Sequence, residues 1–556
     1  MGRYPLPKGT DFRTGDRYLH SRCIAARFLA FSPTRLNCWR QTATGHSLLP
    51  GIQRIASKLS SFLAEGLSKA GETSSSAEVI FTPPKVGPGS PPLPKDRIAV
   101  LPFASIHPDR EHDYFADGIT EELISAISRI QGLDVIARTS VVKYKDSGAR
   151  ISEIARDLNV GVILEGSVRK AGDQLRVTVQ LIKAESEGHL WAEDYDREFR
   201  QIFAVQQDIA SQVATALKLR LVQPEGERIA EAPTDDLAAY DLYLLGRQHL
   251  NLRNDAGLRE AIACFRRTVE IDGNFAPGLA GLADAHILAA LGYMSKPPRQ
   301  ARLRAQEYAK QALGLNEWLP EAHTSLGYAA LLVWDTKTAE SELRRAIEIN
   351  PSHVQAHQWM GHVLISVGRP QEAIEELKRA SELDPLSAVL TAEVGFGHYY
   401  DWDSVQALAW IDRSLEMDPN LPVAHYDRGL NLERLDRYDE AVESYHQALE
   451  LLPGMPYARA SLALAYAQLG REDDARDLLA ALVAEDSPEN PLRTYIAHAQ
   501  EALGMKEEAL GSLRQAVDRR EPLGIYISLA WLPFHSLQST PEFRALVEEM
   551  NGIIGR

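Results

Sequence analysis

Cysteine is scarce: 556 residues contain three, Cys23, Cys38 and Cys264, and none forms a CxxC pair. Three thiols cannot make a full disulfide set, which excludes a disulfide-stapled scaffold and fits a reducing compartment. Long apolar runs are also missing. Nothing approaches the ~18–20 uninterrupted apolar residues of a membrane helix. The apolar patch at 24–31 is too short, is broken by Arg27, and lacks a clean signal-peptide pattern. A cytoplasmic protein without a membrane span is therefore expected, with a periplasmic or membrane-associated one as the alternative. The common catalytic signatures are absent too. There is no Gly-Lys dipeptide for a P-loop, no His-Glu pair for a zincin, no GxSxG, no GxGxxG and no Asp-Phe-Gly. These gaps point away from an enzyme and call for no cofactor or metal.

The charge is negative but unevenly spread. The net charge is −16, while residues 1–96 hold 13 Lys and Arg against 6 Asp and Glu, or +7, leaving −23 for the remainder. Such an acidic body disfavours nucleic acid or an anionic membrane as its partner. Residues 1–96 also hold 10 of the 30 prolines and end in the run Thr82-Pro-Pro-Lys-Val-Gly-Pro-Gly-Ser-Pro-Pro-Leu-Pro94. This reads as a poorly ordered basic segment closing in an extended spacer. Within it, Ile52, Ile55, Leu59 and Leu63 stand at helical spacing, a pattern for a short helix or a loosely folded tail.

Residues 97–221 alternate strand and helix signals, which predicts a small α/β domain. Residues 97–103 read as a buried strand, 113–130 as a helix, 135–137 as a strand and 151–158 as a helix. Residues 160–170 and 174–183 flank Ala171-Gly172-Asp173 as a hairpin. A helix over 202–221 closes the domain, with Ile202, Val205, Ile209, Val213 and Leu217 on one face. Residues 222–236 are a charged linker.

From 237 onward the chain is periodic. Ala312, Ala346, Ala380, Ser414, Ala448, Leu482 and Ala516 are each 34 residues apart. So are Ala305, Ala339, Ala373, Ala407, Ala441, Ala475 and Ala509. A third column runs Gly327, Gly361, Gly395, Gly429, Ala463 and Ala497, and a fourth runs Pro351, Pro385, Pro419 and Pro453. Small residues let paired helices approach, with Leu377 or Tyr445 filling the gap beside them, and proline stops each second helix. The period and pattern resemble the tetratricopeptide repeat (TPR). Eight units are predicted over 237–521, the first with a longer turn and the second with an insert around 292–298. Residues 522–556, with a helix near 541–550, would cap the array. The expected fold is thus an α/β domain followed by an all-α superhelix.

On such an array the first helix of each unit lines a concave groove. By register, Gln358, His362, Phe396, Tyr399, Tyr426 and Leu430 are the candidate partner-binding residues, for a protein or peptide. Tyr400 and Trp402, in the aromatic run 396–403, are either anchors of the same kind or packing between repeats. His353 and His357 stand at i, i+4 as metal ligands do, but no carboxylate or cysteine completes a site, so ordinary inter-helix histidines are expected. Asp113-Tyr-Phe-Ala-Asp-Gly118 fits either a ligand-binding turn or a strand-to-helix loop with a helix cap. His189-Leu-Trp191 reads as a packed strand.

Longer motifs in 97–221 are more specific. They are Ile98-Ala-Val-Leu-Pro-Phe103, Tyr114-Phe-Ala-Asp-Gly-Ile-Thr-Glu-Glu-Leu123, Val135-Ile-Ala-Arg-Thr-Ser140, Leu164-Glu-Gly-Ser-Val-Arg169, His189-Leu-Trp-Ala-Glu193, Tyr195-Asp-Arg-Glu198 and Ile202-Phe-Ala-Val-Gln206. Together they resemble the TolB-amino-terminal-like domain found ahead of TPR arrays in bacterial multidomain proteins. That resemblance runs from about residue 97 to the C-terminus. It implies a bacterial signalling or envelope-related setting and an upstream effector: a class III cyclase, a Ser/Thr kinase or a winged-helix domain. Residues 1–96 carry no motif of these. The resemblance therefore implies a scaffold or adaptor. The alternatives are a regulatory part of a cyclase or kinase system, and a small-ligand sensor acting through the α/β domain.

Overall fold

The computed structural model describes residues 93–106, 113–221, 234–293, 301–487 and 490–521, together with 524–525, 534 and 536–555. The possible helix at 52–67 lies outside the described residues.

Apolar strands surrounded by helices settle as a mixed sheet. Strands β1 (Arg97–Val100), β2 (Ala104–Ser105), β3 (Ile130–Gln131), β4 (Asp134–Val135), β5 (Val162–Ala171), β6 (Gln174–Lys183), β7 (Gly188–Glu198) and β8 (Arg220–Leu221) follow in chain order. The main sheet has the order β4-β1-β5-β6-β7, with β2 also on β5. β4, β1 and β5 are parallel, while β5-β6-β7 is an antiparallel meander. The predicted hairpin turns at Gly172, whose φ of 60° is the left-handed conformation that glycine adopts without strain. Helices α1 (Asp113–Ile127), α2 (Arg138–Val141), α3 (Ile151–Leu158) and α4 (Ile202–Leu217) complete the domain.

Three local expectations are corrected. The closing helix does not reach residue 221. Lys218 turns left-handed (φ 58°), and Arg220–Leu221 pairs antiparallel with Ile130–Gln131. The run 113–118 is neither turn nor loop but the first turns of α1, because Phe115, Ala116 and Ile119 bury a continuous helical face. Gly118 is inside that helix, and a Cβ there would stand 2.8 Å from Leu244. Finally, β7 is a strand that packs only in part, Trp191 lying against the core while His189 and Leu190 do not. It is the edge of the sheet, where His189 is exposed, Leu190 is 44% exposed and Tyr195 alone is buried.

The repeat columns become the inter-helix core. Among the described residues, sixteen helices form eight antiparallel pairs, from Leu237–Asn251 with Asp255–Ile271 to Arg493–Ala502 with Lys506–Asp518. Every member of the Ala305–Ala509 column is fully buried. The glycine column is the closest approach. A Cβ at Gly361 would lie 2.6 Å from Leu377, and one at Gly429 would lie 2.3 Å from the Tyr445 ring. Pro351, Pro385, Pro419 and Pro453 each sit two residues beyond the end of a second helix, where a ring without an N–H stops it. The insert in the second unit begins in a widened π turn, Ala289–Tyr293, and 294–300 lie outside the described residues. A final helix, Pro541–Ile554, follows the array.

The α/β domain and the first repeats share one hydrophobic core. Ile98, Phe103, Phe115, Leu123 and Val205 belong to the same buried cluster as Tyr240, Leu244, Phe265, Phe275 and Leu288. Polar contacts reinforce the junction. Arg247 Nε donates to Glu121 at 2.9 Å, Asn251 to Glu121 at 3.1 Å, and Tyr243 OH to Glu122 at 3.2 Å. Further along, Arg379 pairs with Asp134, the Val135 N–H donates to Ser352 Oγ at 3.1 Å, and the Ala137 N–H to the Leu383 carbonyl at 2.9 Å.

Candidate functional site

First helices of consecutive units contact one another directly, whereas consecutive second helices make no comparable contact. The first helices therefore form the tighter, inner wall of the array. Along this wall the 34-residue register stacks side chains in columns: Ser325, Trp359, Glu393, Asp427, Ser461 and Tyr495 in one, and Tyr328, His362, Phe396, Leu430, Leu464 and His498 in the next.

Aromatic side chains from these columns and from neighbouring positions of the same first helices make a ladder. Tyr328 stacks on Trp359 with centroids 4.2 Å apart; His362 lies 6.3 Å from Tyr328 and 5.9 Å from Phe396; Phe396 meets Tyr400 edge-on at 5.0 Å. The ladder resumes beyond two acids, with Tyr426 4.6 Å from Tyr457 and Tyr457 6.3 Å from Tyr495. Between the two runs, Glu393 accepts from His362 Nε2 at 2.7 Å and from Gln358 at 3.3 Å. Burial works against the Glu393 charge, but the His362 contact outweighs it and holds this carboxyl below its usual range.

The six candidate residues thus divide. Gln358, His362 and Phe396 come together around Glu393, half-buried on the inner wall. Tyr426 and Leu430 are half-buried on the next first helix, Tyr426 also packing on Tyr445 at 6.0 Å. Tyr399 is buried: it is 5% exposed, edge-on to Tyr400 at 5.2 Å, with the Arg434 guanidinium 3.6 Å over its ring. Arg434 also covers Trp402, which is 53% exposed.

His353 and His357 are structural. His353 Nδ1 accepts from the Ala356 N–H at 3.3 Å as a helix cap. His357 bridges Glu376 (2.6 Å) and the Pro351 carbonyl (3.0 Å). His323 repeats this bridge one unit earlier, on Glu342 and the Glu317 carbonyl. Among the described residues no group of three or more His, Cys, Asp or Glu side chains is arranged to hold a metal, and no helix is long and apolar enough to cross a membrane.

Sequence reasoning missed the acids. Asp427 and Glu433 are buried on the Pro422–Arg434 helix, and burial raises both carboxyls, Glu433 to about 7. The signal was available: charged residues at inward register positions of a repeat.

Comparison with known proteins agrees with this architecture. Residues 335–393 and 434–492 match the tetratricopeptide repeat model, and residues 94–212 match the second domain of HilA/YgeH-like transcriptional regulators. The TolB-like resemblance of that domain rests on its motifs alone. "Putative adenylate cyclase 3" of Rhizobium meliloti (strain 1021) is 37% identical over 262 residues. That match covers 47% of this chain and 44% of the relative, so the chain spans less than half of the curated protein it matches. Among solved structures, Pseudomonas aeruginosa PilF is similar at 21% identity and a TM-score of 0.30, over 38% of this chain and 96% of that one. A thermophilic TPR protein of Thermus thermophilus is similar at 20% and 0.30, over 34% and 98%. The chain is an α/β domain joined to an array of tetratricopeptide repeats.

Proposed function

We propose that this chain is a non-enzymatic scaffold that binds a protein or peptide segment along the inner wall of its repeats, in bacterial cytoplasmic signalling. The carrying observation is the aromatic ladder from Tyr328 to Tyr400 and from Tyr426 to Tyr495, carried by the first helices of six successive units. Tyr328 and Trp359 are buried, while Phe396, Tyr400, Tyr426, Tyr457 and Tyr495 are half-buried, and half-buried aromatics on a rigid wall make strong anchors because they bury much area at small entropic cost. The test is capture by the tagged full-length chain, repeated with Phe396→Ala and Tyr426→Ala. Partners lost from both variants, with helix content unchanged by circular dichroism, are expected. Capture indifferent to both changes would remove the groove from the reading.

A second reading has one observation behind it: the relative named as a cyclase. In it, the chain is a regulatory part of a cyclase system, its TolB-like domain and repeats acting on a catalytic half supplied elsewhere. Cyclic AMP formed by a class III cyclase catalytic domain, with and without this chain, is the discriminating measurement. A change that Glu121→Ala abolishes would favour this reading over the simple scaffold.

A further inference from the structure

The inner wall holds one buried carboxylate without a partner. Asp427 is 5% exposed, and its side chain makes no hydrogen bond or ion pair with any described residue; only its backbone carbonyl is engaged, by Asn431. Its carboxylate oxygens are not sealed off, since they are not among the fully enclosed unpaired atoms. Asp427 stands 34 residues after Glu393 and 68 after Trp359, so it faces the groove as they do. Burial and then the neighbouring Glu393 push its carboxyl up. On its own helix, Arg428 is engaged by Asp412 at 3.2 Å and Ser444 at 3.0 Å, and Arg434 is turned onto Tyr399 and Trp402. Glu393, by contrast, already has His362 and Gln358.

A buried carboxylate with nothing to compensate it is costly, and aromatic faces attract cations. Both features sit here together, between the two halves of the ladder, in a body that carries −23. We infer that the groove between the fifth and sixth units is a receptor for a basic side chain, a lysine or arginine on an otherwise apolar partner segment, held by Asp427 among Phe396, Tyr400, Tyr426 and Tyr457. This rests on the groove reading above and gives its partner a chemistry. The cation replaces the missing ion-pair partner, and the flanking apolar residues lie along the ladder.

Fluorescence anisotropy of the full-length chain tests it. The probes are a short labelled peptide alternating lysine with leucine, and the same peptide with norleucine in place of lysine, at physiological salt. The lysine peptide is expected to bind about tenfold or more tighter, the order of a desolvated cation–π and carboxylate site. Asp427→Asn, close in shape to the protonated acid, is expected to remove that preference. Glu472→Gln, an exposed acid on a second helix, is expected to leave it intact. Equal losses from both variants would mean general attraction to an acidic protein and would overturn the inference. Norleucine peptide bound as tightly, and weakened by Phe396→Ala, would also overturn it while leaving the groove reading standing. Binding of neither peptide would overturn the basic-side-chain receptor, and groove variants that also leave partner capture unchanged would remove both.

Discussion

Glu433 shows how a single buried acid ties stability to pH. Tyr445 OH donates to it at 2.9 Å, and burial lifts its carboxyl from 4.5 to about 7. The folded chain then keeps a proton that the unfolded chain releases, so this contribution is full at low pH and is lost as pH rises from about 4.5 to 7. Across that window the effect is worth roughly 3 kcal/mol. Glu433→Gln should flatten the fall in urea midpoint between pH 5 and pH 8; an unchanged slope would show that Glu433 ionises freely. His498 works in the opposite sense. Burial pushes it down to about 4 and its Nε2 has no partner, so stability is lost as pH falls below about 6.5.

At the same scale, Gly429 tests the packing of a repeat. Alanine gains about 1 kcal/mol of helix propensity there. Its Cβ, however, would stand 2.3 Å from the Tyr445 ring, which is fully buried and cannot retreat. Overpacking of about 1–3 kcal/mol should win, lowering the denaturant midpoint of Gly429→Ala. The residue type was readable from its column; the size of the conflict needed the distance.

Among the elements, α2 shows what helix and strand patterns leave out. It is a single turn, Arg138–Val141, and its Thr139 and Ser140 hydroxyls donate to Asp384, which is buried in the turn after a second helix. Asp384→Ala leaves these donors unpaired, at a cost of about 1–3 kcal/mol. Hydrogen exchange should quicken in 138–141 and leave the helix Tyr438–Leu451 unchanged. Exchange that stays slow in α2 would mean that the Arg379–Asp134 pair and the shared core suffice. Nothing near Thr139 in sequence announces a partner 245 residues away. By contrast, strands β5 and β6 were legible because alternation and the Gly172 turn are local.

For the whole molecule, the turns between first and second helices fall into a column of left-handed residues: Trp334, Gly368, Trp402, Asp436, Gly470 and Gly504. A tryptophan there carries strain of roughly 1–2 kcal/mol. At Trp334 this is offset by burial: the indole N–H donates to the Glu521 carbonyl at 3.1 Å, and Phe534, Leu537, Phe543 and Met550 join the same core. Thr336 Oγ1 donates to the Ile554 carbonyl at 2.6 Å. The C-terminal segment therefore caps the eighth unit and also grips the third. Removing residues 541–556 should lower the thermal midpoint and red-shift tryptophan emission. That red shift should shrink in a Trp334→Phe background. Emission unchanged by the truncation would mean that Trp334 stays covered without the final helix.

The sequence by itself determined the repeat. A period of 34, with alanine, glycine and proline in fixed columns, follows from how two helices pair, and pairing is local. It also determined most of the sheet's strands and which helix of each unit carries candidate anchors. Tertiary structure alone decided how those pieces meet. The α/β domain shares its core with the first repeats, the C-terminus reaches back to Trp334, and Asp427 lies buried without a counter-charge. Each of these depends on residues distant in the chain arriving at one place, and the curvature that brings them there accumulates over many units.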